Sequence, residues 1–266
     1  MPVVCSGFDC GLSLPRRRTP GSMVAMTTAP GGRHANGISF DQTDTFQFER
    51  GLHARGCALV AGLDEAGRGP LAGPVVAACV ILPRDCPYHL FQDSKLLTAR
   101  RREELFALLH EHAAIIGIGS ANPREIEQLN ILQASLLAMR RALDDCTVNN
   151  GNTPPDHLLV DGKFPAPSPI AQTILIKGER RSASIAAASI IAKVTRDRMM
   201  AEYHQQYPQY EFHRHQGYPT RAHRQAIERC GPSPIHRRTF RGVREYLESD
   251  EPTLVQAALW TGREAR

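Results

Sequence analysis

Three acidic residues each close a different apolar run, and this placement constrains the chain more than any other feature. Asp64 follows Cys57-Ala-Leu-Val-Ala-Gly-Leu63, Asp161 follows His157-Leu-Leu-Val160, and Glu179 follows Thr173-Ile-Leu-Ile176 after Lys177 and Gly178. Short apolar runs bounded by turn residues read as buried strands. Ligand sites in open α/β sheets gather at strand ends, so the acids are expected to meet in one cleft, with Glu65 as a fourth. Taken singly, an acid at a strand end is more often a cap or turn former.

Carboxylates forced together raise one another's pKa, and oxygen-seeking divalent ions relieve that cost. No Cys or His ligand set accompanies these acids, so the expected ions are Mn²⁺ or Mg²⁺ rather than zinc. Two such ions, about 3.5–4 Å apart, suit phosphodiester cleavage. Neighbours on a regular strand point to opposite faces, so Asp64 and Glu65 share a site only where the strand bends or ends. Asp197 is a rival fourth acid, made weaker by its place inside a helix.

Further runs at Pro74–Leu82 and Ala113–Gly119 read as strands. Thr98 can cap a helix carrying Leu105, Leu108 and Leu109. Asn122-Pro123 starts another, which places Leu132, Leu136, Met139 and Leu143 on one face and stops in the polar stretch Asp144–Pro155. An Ala/Ile-rich helix is expected from about Ser184 to Tyr207. Strands alternating with helices give a mixed-sheet α/β domain.

The 266 residues carry a net charge of +5, too mild to name a partner. Its distribution says more: Lys177 to Arg244 holds 14 Lys+Arg against 5 Asp+Glu, a local +9 that leaves −4 elsewhere. Aromatic residues, among them Tyr203, Tyr207, Tyr210 and Tyr218, interleave with that basic stretch, as phosphate and base contacts require. A solvated basic face is the plainer alternative. The seven cysteines are widely spaced and form no C-x-x-C pair, which argues against a disulfide framework or a zinc site and for a reducing cytoplasm. No run approaches the roughly 18 apolar residues of a membrane span. Residues 1–48 lack periodic apolar pattern and are expected to be a disordered extension, 49–247 the folded domain, and 248–266 a tail.

Gly67-Arg68-Gly69 follows the first acids. Its glycines allow close main-chain approach to a ligand and Arg68 can reach a phosphate; a plain hairpin turn explains it equally. Ser94 and Lys95 precede a helix, where a lysine suits a phosphate, although the tripeptide beginning at Asp93 also reads as a cap. Lys193 and Asp197 stand one helical turn apart, as an ion pair would. His213 and His215 could chelate a metal but read better as an exposed basic loop.

The segment Gly62-Leu-Asp-Glu-Ala-Gly-Arg-Gly-Pro-Leu-Ala-Gly-Pro-Val-Val-Ala77 resembles the signature of bacterial ribonuclease HII. The likeness continues through Asp93-Ser-Lys-Leu96, Val160-Asp-Gly-Lys163, Ala186 to Asp197, His215-Gln-Gly-Tyr-Pro-Thr220 and Pro234-Ile-His-Arg-Arg238. The resemblance implies an RNase H-like mixed five-stranded sheet flanked by helices, with a helical C-terminal part. It also implies an endonuclease that cuts the RNA of RNA–DNA hybrids, and cuts 5′ of single ribonucleotides in duplex DNA, leaving a 3′-hydroxyl and a 5′-phosphate.

Carried over, Asp64, Glu65, Asp161 and Glu179 are the catalytic metal ligands. Gly67, Arg68 and Gly69 read the ribose 2′-hydroxyl, Tyr218 stacks on the sugar at the ribo-to-deoxyribo junction, and Ser94, Lys95 and Lys193 contact substrate. Two departures stand out: Glu179 replaces the family's usual aspartate, and Gln92 replaces an asparagine. The expected protein is a monomer, with either tail a candidate contact for a sliding clamp. Two competing readings are a catalytically silent hybrid-binding protein, resting on the basic stretch, and another RNase H-like enzyme such as a DNA strand transferase.

Overall fold

The computed structural model describes residues 44–91 and 94–248, which fall within one compact unit. The expectations for residues 1–43, for Gln92 and Asp93 and for the tail lie outside the described residues. The expected boundary at residue 48 falls inside the first helix, α1 (Gln47–Ala54), and Phe46 before it is buried.

Five strands form one sheet in the order β3-β2-β1-β4-β5. β1 (Val60–Ala66), β2 (Val75–Ile81) and β3 (Ile115–Ala121) pair antiparallel, while β4 (His157–Asp161) and β5 (Ala171–Leu175) extend the sheet in parallel from β1. β1 is thus central, and the strands carrying Asp64 and Asp161 are neighbours. The mixed sheet matches the expected fold class.

One correction concerns β1. The apolar run ends at Leu63, but pairing with β2 continues to Ala66 opposite Val76, so Asp64 and Glu65 lie inside the strand. Hydrogen-bond pairing, to which hydropathy is blind, sets that end.

Helices cover both faces. On one, α3 (Pro123–Leu129) and α4 (Ile131–Asn149) pack Ala138, Met139 and Ala142 against Leu63, Val75 and Ala77. The single expected helix is broken at Asn130, whose φ of 69° ends α3 and whose side chain caps α4 by accepting from the Leu132 and Gln133 N–H groups. α4 ends at Asn149, inside the polar stretch where the sequence places its stop. On the other face, α2 (Ala99–Glu111), capped by Thr98 as expected, and α5 (Ala183–Gln206) enclose Ala78, Val80, Ala186 and Ile190. Each fully buried Ile or Leu contributes about 1.5–3 kcal/mol relative to exposure. Gly62 permits a close contact: a Cβ there would overlap the main chain of Ser184, so α5 lies directly on β1.

The C-terminal part is helical. α6 (Phe212–His215), α7 (Arg221–Cys230) and α8 (Arg244–Glu248) gather with Leu71, Ala72, Met200, Tyr210 and Phe212 in a separate apolar cluster. Here the basic stretch departs from expectation. Arg196, Arg237 and His215 are buried, so this part of it is interior rather than solvated face.

His223 and His236 are buried beside His215, and their hydrogen bonds fix their tautomers. His236 Nδ1 accepts from Ser233 N–H (2.8 Å), so its proton sits on Nε2 and is donated to His223 Nε2 (3.0 Å). His223 in turn donates from Nδ1 to the Tyr218 carbonyl (2.9 Å). A further proton would set two N–H groups against each other. Burial pushes His223 down to about 4 and His236 down to about 3, below the usual 6.5.

The unfolded chain therefore binds more protons between pH 6.5 and those values, and stability falls as pH drops through that window, by up to about 1.4 kcal/mol per pH unit per histidine. Urea unfolding of the wild type and of His223→Gln should show this directly. The wild type is expected to lose more stability than the variant between pH 7 and pH 5; parallel losses would refute the neutral chain.

Candidate active site

Asp64 and Gly62 share one parity of β1 and face α5, whereas Leu63 faces the α4 layer. Asp64 is buried, and its Oδ1 accepts from the Glu65 N–H at 2.7 Å. Asp161 ends β4 and accepts from the Gly178 N–H at 2.6 Å. That bond anchors the short 3₁₀ turn Gly178–Arg180, which carries Glu179 into the same place. Ligand oxygens of Asp64, Asp161 and Glu179 all lie within 4.8 Å of one another.

Glu65 stands apart from this triad. Of opposite parity to Asp64, it forms an ion pair with Arg68 at 3.1 Å, yet it lines the same cleft. Asp197 joins neither group: it pairs with Lys193 at 2.7 Å, as the one-turn spacing implies. Glu179 rather than Asp197 completes the triad.

The cleft has a volume of about 260 Å³. Its lining includes Asp64, Glu65, Asp161, the Gly67-Arg68-Gly69 loop, Ser94, Lys95, Lys193 and Tyr218. The expected site residues are thus brought together, with Glu179 just beneath, where Lys95 Nζ binds its Oε1 at 2.8 Å. Tyr218 is exposed, and Lys193 Nζ lies 5.9 Å from its ring centroid.

Electrostatics mark the triad as built for cations. Burial, then the charges of Glu65 and Asp161, push the Asp64 carboxyl well above its ordinary range, against a hydrogen bond from Ser189. Burial also raises Glu65, even with Arg68 beside it. Three converging carboxylates make an all-oxygen donor set, which fits a hard divalent ion and not zinc.

Two features escaped sequence reasoning. Ser189, which also bonds Ser94 Oγ at 2.8 Å, lies one turn before Lys193 on α5, so helical spacing from Lys193 could have found it. The buried pair Arg196 and Arg237 gave no such signal: Arg196 stands in Lys193-Val-Thr-Arg-Asp197 and Arg237 in His236-Arg-Arg238, each among other charged residues.

A mixed sheet with acids converging on its central strands defines an RNase H-like nuclease. The family model described as Ribonuclease HII matches residues 61–243. Ribonuclease HII of Desulfotalea psychrophila is 58% identical over 205 residues, which cover 77% of this chain and 90% of that protein. Ribonuclease H2 from Pyrococcus horikoshii OT3 shares the fold with a TM-score of 0.59 at 27% identity, covering 72% of this chain and 98% of that one. Bst-RNase HIII in complex with Mn²⁺ shares the fold at a TM-score of 0.58 and 16% identity, over 73% of this chain and 70% of its own. The chain belongs to the ribonuclease HII family, and it is an endonuclease of the RNase H type that binds metal.

Removing one buried charge should ease the repulsion and empty the site together. Asp64→Asn is expected to melt at or above the wild-type temperature in chelator. It should also lose the stabilisation that Mn²⁺ gives the wild type, about 2.7 kcal/mol at a hundredfold excess over Kd. Thermal melts with and without Mn²⁺ test this, and an undiminished Mn²⁺ shift in the variant would exclude Asp64 as a ligand.

Proposed function

We propose that the chain hydrolyses the RNA strand of RNA–DNA hybrids and cuts 5′ of single ribonucleotides in duplex DNA, leaving a 3′-hydroxyl and a 5′-phosphate. The observation that carries this reading is one cleft that joins the carboxylate triad to the Gly67–Gly69 loop and Tyr218.

In this reading Asp64, Glu65, Asp161 and Glu179 would hold two divalent ions, Mn²⁺ or Mg²⁺. Bound there, the ions would supply the charge that eases loss of a proton from water, leaving hydroxide to attack, and that offsets charge on the departing 3′-oxygen. The chain's own groups orient the substrate. Lys95, Lys193 and Arg68 ring the acids with positive charge, which draws backbone phosphates toward a site that would otherwise repel them. Main-chain groups of Gly67, Arg68 and Gly69 meet the 2′-hydroxyl, the group that separates RNA from DNA. The Tyr218 ring offers a flat apolar face to the sugar at the junction, and Ser94 steadies Ser189 behind Asp64.

The biological work would be ribonucleotide excision repair and primer removal. The catalytic unit would begin by Phe46, ahead of the boundary expected at 48, and run to about residue 247, acting as a cytoplasmic monomer with a tail as the contact for a sliding clamp. Among the described residues no helix is long and apolar enough to cross a membrane.

Incubation with a duplex containing one ribonucleotide, in Mg²⁺, Mn²⁺ or chelator, followed by mapping of the cut, tests the reading. A single metal-dependent cut 5′ of the ribonucleotide is expected, and Asp64→Asn should slow it by at least about 10²–10³-fold, as loss of a transition-state stabiliser does. Tyr218→Ala should cost about tenfold on that substrate, within the range of a lost stacking contact, and less on a continuous hybrid. Equal losses on both would remove Tyr218 from the junction.

A further inference from the structure

Arg196 and Arg237 are among the largest fully buried side chains. Both spend their donors on main-chain carbonyls. Arg196 donates from Nε to Pro74 O (2.9 Å) and through its terminal nitrogens to Ala72 O (3.1 Å) and Gln216 O (3.0 Å). Arg237 donates from Nε to Gly73 O (2.9 Å) and through its terminal nitrogens to Gly67 O (2.6 Å), Arg68 O (3.0 Å) and Pro74 O (3.2 Å). Two buried cations side by side are costly, and a merely stable loop could be closed with less. What they hold is the segment from Gly67 to Pro74.

The consequence follows from peptide geometry. In a planar trans peptide the carbonyl of one residue and the N–H of the next point in opposite directions. The Gly67 and Arg68 carbonyls are drawn inward to Arg237, so the N–H groups of Arg68 and Gly69 are turned outward, on the stretch of chain that lines the cleft. Gly67 has a φ of +97°, and a Cβ there would overlap the Arg196 side chain, so the loop and the arginines are fitted to each other.

Arg237 is itself fixed. Its N–H donates to Leu71 O (2.8 Å), and the Gly73 N–H donates to Ile235 O (2.9 Å), flanking the bridge between Ala72 and His236. Its neighbour His236 reaches the Tyr218 carbonyl through His223. Residues 235–237 therefore brace both sides of the cleft's sugar-facing end.

We propose that Arg237, with Arg196 packed behind it, is a positioning residue for ribose recognition, aiming the Arg68 and Gly69 N–H groups as a donor pair at the 2′-oxygen. This rests on the ribonucleotide-reading function proposed above. Arg237→Lys keeps a cation but loses the planar fork that gathers four carbonyls.

The test is binding in chelator, where nothing is cut. Fluorescence anisotropy gives Kd for a duplex with one ribonucleotide and for the all-DNA duplex of the same sequence. The wild type is expected to prefer the ribonucleotide by about 3–10-fold, the range of one or two net hydrogen bonds. Arg237→Lys should lose that preference while holding all-DNA affinity within about twofold, since the exposed cations that carry it are untouched. A folded variant that keeps the preference, or that loses affinity for both duplexes alike, overturns the proposal. Should circular dichroism show Arg237→Lys unfolded, Arg196→Lys is judged by the same ratio. A wild type with no preference would instead overturn the ribose reading itself.

Discussion

Repulsion among buried carboxylates is the force that the rest of this fold is arranged to withstand. Asp64, Asp161 and Glu179 crowd their oxygens to within 4.8 Å, an arrangement no flexible chain would hold without cations. Neighbouring strands hold it here. The parallel pairing of β1 with β4 fixes the two aspartates, and the Gly178 N–H bonded to Asp161 fixes the turn that brings Glu179. Tight packing under them finishes the restraint, because α5 rests on Gly62 with no room for the strand to yield.

Positive charge is then distributed by depth. Exposed and half-buried cations, Arg68, Lys95 and Lys193, stand around the acids, each already paired with a carboxylate. Their carboxylate partners are buried or half-buried, while the cations themselves reach solvent and can also meet a phosphate. The deep cations, Arg196 and Arg237, are held by carbonyls at the back of the loop and shape the main chain. Within the segment of net charge +9, Lys193 stands at the cleft while Arg196 and Arg237 are interior, a division that the net charge conceals; Arg68 and Lys95 come from outside it.

Much of this was legible beforehand, for reasons specific to each residue. Asp64, Asp161 and Glu179 were visible because a charge after an apolar run is a strong local contrast, and strand ends of one sheet meet in space. The ends of β1 and the break at Asn130 were not. β1 continues through charged residues because β2 supplies hydrogen-bond partners, and Asn130 breaks the helix with a backbone angle that hydrophobic spacing does not encode. The burial of Arg196, Arg237 and His215 was hidden for another reason. Arg196 and Arg237 are held by backbone carbonyls of distant residues and His215 by that of Tyr210, five residues before it, and carbonyls leave no trace in residue identity.

Glu179 shows how such hidden geometry decides a question that residue type leaves open. Glutamate is one methylene longer than aspartate, so the place of its carboxylate depends on the path of the backbone. The residue before the turn, Lys177, adopts a left-handed conformation at φ 57°, and the 3₁₀ turn that follows lodges the Glu179 side chain in the interior. Lys95 takes one of its oxygens, and its carboxylate still supplies an atom to the triad. Length of side chain and path of backbone compensate each other, so the substitution preserves the charge and the donor type where the site needs them.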